Sequence, residues 1–196
     1  EAKSGPKVDG REIGRATAIQ HKDSAMTDFD RRHVMGGIVL GGGILAATGA
    51  IAEPPVIDPA TIKKETEVAC AYHCDFGDPA RIGQMLGNIN NHLSAYENDP
   101  FKLKLVVVAH AAGIKPFLTD LEGTPWSKEQ FPAEIFERFD GLAKLGVDVL
   151  LCRITFVRNK IDLSKARVAP FIKLVPSGVA TVAALQSKGF AYVKVG

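Results

Sequence analysis

The chain has 196 residues, 46% apolar and 23% charged, with a net charge of +2. That length fits one globular domain with an appendage, and the composition excludes a collagen-like, wholly disordered or disulfide-dense chain. The near-neutral charge gives no electrostatic case for a nucleic-acid partner, and three cysteines leave at least one thiol without an internal partner.

Residues 1–25 are rich in charge and poor in apolar runs, so they read as a disordered extension. Residues 26–52 follow an export pattern. Arg31-Arg32 close a short basic region, residues 34–52 carry no charge, and Ala50-Ile51-Ala52 offers small residues where a signal peptidase cuts. The paired arginines followed by Val34 and Met35 are similar to a twin-arginine signal. The expectation is a periplasmic domain exported by that signal. The alternative keeps residues 34–52 as a membrane anchor, since a spanning helix needs roughly 17 to 25 residues, and leaves the domain on the same outer side. Pro54, Pro55 and Pro59 mark residues 53–64 as an extended linker.

From about residue 65 strands and helices alternate. Glu67–Phe76 reads as a strand, and Asp78-Pro79 starts a helix as N-cap and first helical residue. Ile82, Met85, Leu86, Ile89 and Leu93 give that helix an apolar stripe. Leu103–Ala109 is a nearly continuous apolar run, of the kind buried on both faces of a parallel sheet. Ile114–Asp120 reads as a short helix and 121–131 as a loop, in which Trp126 anchors on the core or covers a pocket. Pro132–Leu145 is a helix, Val147–Cys152 and Phe171–Val175 are strands, a helix runs from Pro176-Ser177-Gly178 to Lys188, and Phe190–Val195 is the last strand. The pattern predicts an α/β fold with an open, mainly parallel five-stranded sheet and helices on both faces.

Ligands in such sheets bind beyond the carboxyl ends of the strands. Those ends carry Asp75, His110, Cys152, Pro176 and Ser177, with Gly113 in the turn after the second strand. These are the candidate pocket residues. Cys152 beside Arg153 makes a candidate nucleophile whose thiolate the guanidinium would stabilise. The alternative is an inert core cysteine. His110 is placed to orient a ligand or shuttle a proton. Cys70 and Cys74 share one strand face about 13 Å apart, too far for a disulfide. His73 points to the other face, so these three make no zinc site. The five histidines show no metal-ligand spacing, and no G-x-S-x-G, P-loop or clean G-x-G-x-x-G occurs. No cofactor and no metal are expected.

Several stretches in this order carry a resemblance. They are Asp75-Phe76-Gly77-Asp78-Pro79, Leu105 to His110 with Gly113, Gly146 to Cys152, Val175-Pro176-Ser177-Gly178-Val179 and Leu185 to Tyr192. Over residues 67–196 the chain resembles the DsrE/DsrF-like proteins, small α/β domains linked to sulfur metabolism. The resemblance implies a three-layer α/β/α sandwich that forms homo- or hetero-oligomers. In its sulfur-relay branch a cysteine carries sulfur as a persulfide, and Cys152 matches that position, while His110 matches a second-strand histidine of a more similar branch. Three functional readings follow. One is a periplasmic sulfur carrier working through Cys152. Another is a non-catalytic accessory or ligand-binding subunit of a membrane-associated complex, anchored through residues 34–52. The third is thiol redox chemistry between Cys74 and Cys152, which requires the pair within disulfide reach.

Overall fold

In the computed structural model residues 52–195 are described. The charged extension and all but the last residue of the signal-or-anchor segment lie outside them. Among the described residues no helix is long and apolar enough to cross a membrane.

Five strands, β1 (Val68–Cys74), β2 (Leu103–Ala109), β3 (Asp148–Cys152), β4 (Ile172–Val175) and β5 (Ala191–Val193), form one sheet in the order β4-β3-β2-β1-β5. Every neighbouring pair is parallel. Four helices, α1 (Pro79–Ala95), α2 (Ala133–Ala143), α3 (Arg153–Asn159) and α4 (Gly178–Ser187), connect or cap them. The expected α/β sandwich is therefore the observed one, with the strands all pointing the same way.

Alternation along the strands divides the core in two. Cys70, Tyr72 and Cys74 of β1 pack with the apolar faces of α1 and α2. The α1 stripe is buried at all five expected positions, Ile82, Met85, Leu86, Ile89 and Leu93. Asp78 caps the helix by accepting from the Arg81 N–H at 2.8 Å. The opposite face carries Ala69, Ala71, Val106, Val108 and Leu150, covered by Val182 and Leu185 of α4.

Three elements differ from expectation. The short helix after β2 is a 3-10 turn starting earlier, at Ala111–Phe117. Residues 153–159, which the sequence pattern leaves unassigned, form α3, whose Phe156 is buried in the larger core. The proline-rich segment, expected as an extended linker, turns through a 3-10 helix at Pro59–Thr61 and is docked on the domain. Ile57 N–H donates to Leu174 C=O at 2.9 Å and Leu174 N–H donates to Pro55 C=O at 2.8 Å. The Lys188 ammonium then donates to the carbonyls of Pro59, Ala60 and Ile62. Backbone groups at a sheet edge need partners, and this segment supplies them to β4. Trp126 is half-buried against the larger core, with the Lys115 ammonium 5.6 Å from its ring centroid, so it anchors its loop.

Candidate functional site

The carboxyl ends of β1, β2 and β3 bring polar side chains into one row on the α4 side of the sheet. His73 follows Ala69 and Ala71 in alternation, His110 follows Val106 and Val108, and Cys152 follows Leu150. Ala109 pairs with Leu151, so one step on, His110 and Cys152 stand side by side. The first residue of α4 closes against both. A β-carbon on Gly178 would lie 3.0 Å from the His110 Cβ and 3.1 Å from the Cys152 Cβ. Ser177 caps α4 by accepting from the Ala180 N–H, at 3.3 Å. This presents the helix's positive end to the same place.

Beside them opens a cavity of about 370 Å³, lined among others by His110, Cys152, Thr155, Arg158 and Ser177. Three of the residues singled out by sequence thus share one cavity: His110, Cys152 and Ser177. Arg153 begins α3 and is exposed, outside the lining. The arginine that does line the cavity is Arg158, later in the same helix. Pro176 is exposed next to the site and is not part of the lining. Ala111, immediately after His110, has φ 48°, a left-handed conformation costly for alanine. Its N–H donates to the Thr155 hydroxyl of α3 at 3.0 Å, which ties the end of β2 to the helix after β3.

Gly113 has a different task from the pocket role expected of it. A β-carbon there would lie 2.1 Å from the Cys74 carbonyl oxygen and 3.0 Å from Cys74 Sγ. Gly113 therefore seals Cys74 in the core on the other side of the sheet. The Cys74 thiol faces the carbonyls of Phe76 and Gly113 at 3.6 and 3.9 Å. Burial, with the Asp75 charge adding to it, pushes that thiol up to about 12. Burial also raises Cys70, against an opposing pull from Lys64. All three cysteines are free. Cys74 and Cys152 point to opposite faces with β2 between them, which removes the redox-pair reading.

Sequence spacing does not reveal a further cluster next to the cavity. His73 Nε2 and His110 Nε2 face each other at 2.5 Å, and the rings stack with centroids 4.8 Å apart. One nitrogen must carry the proton and the other accept it. His73 Nδ1 is 3.1 Å from the Tyr192 hydroxyl of β5. The Asp75 carboxylate completes the group, and one ligand atom from each of His73, Asp75 and His110 lies within 4.8 Å of the others. Burial holds His110 below the usual histidine range, His73 adds to that, and Asp75 opposes it. No local spacing links residues 73 and 110. The available signal was the alternation of two apolar strands, which puts both histidines on one face at neighbouring strand ends.

A family profile described as the DsrE/DsrF-like family matches residues 71–195. An uncharacterized protein of Aquifex aeolicus (strain VF5) is 30% identical over 123 residues, 62% of this chain. The chain spans about half, 53%, of that relative's length. A solved protein of unknown function from Methanobacterium thermoautotrophicum superposes with a TM-score of 0.51 at 21% identity. The match covers 65% of this chain and 99% of that one, and it shows the shared fold.

Proposed function

The chain belongs to the DsrE/DsrF-like family, and from that premise we propose that the domain handles sulfane sulfur, with Cys152 carrying it as a persulfide. One observation carries the reading. All three thiols are buried, but Cys70 and Cys74 are packed into the larger core, whereas Cys152, 5% exposed, belongs to neither core cluster and is one of the residues lining the cavity.

The chemistry needs only a sulfane donor, a persulfide or polysulfide R–S–SH. The Cys152 sulfur attacks the terminal sulfur of the donor. A new S–S bond forms on Cys152, the donor's S–S bond breaks, and R–SH leaves with the proton lost by the Cys152 thiol. Sulfur moves as a neutral atom, so no external oxidant or reductant enters. An acceptor thiolate reverses the step to take the sulfur away. Arg158 and the positive end of α4 attract an anionic sulfane donor to the cavity. His110 forms the wall that orients the attacked sulfur. Exposed Ile154 and Val179 flank the cavity and give a donor or acceptor protein an apolar rim to dock on. Another copy of the chain or a membrane-associated complex is a partner of the same kind. The proposal includes export, supported by Arg31-Arg32, the uncharged run 34–52 and Ala50-Ile51-Ala52.

The test is intact mass of the 196-residue chain, non-reduced, before and after treatment with polysulfide. The expected result is a gain of one sulfur atom that Cys152→Ser abolishes and Cys70→Ser retains. No gain, or a gain that persists in Cys152→Ser, overturns the assignment and favours the non-catalytic accessory role. The mass of protein isolated from native periplasm and membranes reads export separately, since a cleaved chain begins at Glu53.

A further inference from the structure

We propose that His73, His110 and Asp75 form a binding site for a divalent transition-metal ion of the zinc class, which adjoins the Cys152 cavity through His110. Three ligand atoms of the right types converge within 4.8 Å. Two imidazole nitrogens and one carboxylate oxygen are the donor set of three-ligand zinc sites, which leave a fourth position for water or an incoming ligand. Imidazole and carboxylate together select this class over calcium or magnesium, which take oxygen ligands.

The facing nitrogens need explaining. Two Nε2 atoms at 2.5 Å are bridged by one proton at most. A tetrahedral ion with Zn–N bonds of about 2.0–2.1 Å holds two nitrogens roughly 3.3 Å apart. The rings therefore open by under ~1 Å to admit it. His110 is held at its β-carbon by Gly178, so His73 is the ring that moves. Its outer support, Tyr192, is an exposed side chain on the edge strand β5 and can follow. That support is also what a metal-bound histidine requires. With His73 Nδ1–H donating to the Tyr192 hydroxyl, 3.1 Å away, Nε2 is the ligand nitrogen. Asp75 is exposed, which gives the ion a path from solvent. Cys152 is not among the converging atoms.

Calorimetry of the tag-free 196-residue chain, stripped with chelator and titrated with Zn2+, tests this. The expected result is one equivalent bound at ~10 μM or tighter. His73→Ala should weaken binding at least ~100-fold, Asp75→Asn by ~10–100-fold, and Tyr192→Phe by up to ~10-fold through the lost orientation of His73. His92→Ala and Cys152→Ser should leave it unchanged. Asp75 and Tyr192 are exposed, so their variants keep the fold and the test does not depend on a core substitution. Absence of stoichiometric binding overturns the proposal, as does binding that survives both His73→Ala and Asp75→Asn. Cys152→Ser separates this inference from the sulfur reading, because it removes the persulfide and spares the metal.

Discussion

Two cysteines end two strands of the same sheet, and their surroundings are opposites. Cys74 closes β1 under a glycine, Gly113, whose backbone presses on its carbonyl. Cys152 closes β3 under another glycine, Gly178, which presses on its β-carbon and on His110. The Cys74 thiol points into the core formed with α1 and α2, whereas the Cys152 thiol faces a cavity on the α4 side. Residue type and position at a strand end are thus the same, both side chains are buried, and the face of the sheet decides which of them borders a cavity. Close approach by glycine serves both, to seal in one case and to position in the other.

The largest expected contrast is chemical. Iodoacetamide should modify Cys152 of the folded chain at least ~100 times faster than Cys74, because only the thiolate reacts and burial suppresses it at Cys74. Peptide mapping after timed quenching reads the ratio, and equal rates would erase the distinction. The next contrast is mechanical. Gly113→Ala drives a β-carbon onto backbone at 2.1 Å and should cost about 3 kcal/mol or more. Gly178→Ala meets its neighbours at 3.0–3.2 Å and should cost about 1 kcal/mol while slowing Cys152 modification. Denaturant titration of both variants tests the order, and a reversed order would mean that the α4 contact is the tighter one.

The smallest effect is in alkali. The Cys74 thiol is raised from 9.0 to about 12 in the folded chain. The unfolded thiol therefore ionises first as pH rises. Stability rises with pH wherever the unfolded state binds more protons, and here it binds fewer, so stability falls. The contribution of Cys74 is fully present below pH 9 and is lost on the way to about 12. Cys74→Ala should flatten that part of the stability–pH curve, measured by denaturant midpoints across the range.

Much of the architecture was legible because the segments are locally consistent. The α1 stripe, its Asp78 cap and the apolar β2 each declare one structure. The helix α3 did not, since Arg153–Asn159 carries Ile154, Thr155 and Val157, β-branched residues that favour helix weakly. It forms because Phe156 and Thr155 are buried by tertiary packing. The cavity was half legible. His110, Cys152 and Ser177 follow from their strand ends, but Arg158 depends on the unseen helix. The His73–His110 pair was illegible to spacing because strand register, not chain separation, brings it together. Gly113 resembled a pocket residue for a similar reason, since its place near a strand end says nothing of which face it closes.

The pairing of Pro55 and Ile57 with Leu174 has a practical consequence for anyone handling this protein. The family match begins at residue 71, inside β1, and a chain trimmed to just before that strand would lose the segment that covers β4. Leu174 would then offer its N–H and C=O to any passing strand, the matching edge of another molecule included. Trimmed protein should therefore self-associate and precipitate at concentrations where the longer chain stays dispersed. In this fold, a proline-rich stretch with the composition of a tether acts as a guard against clumping.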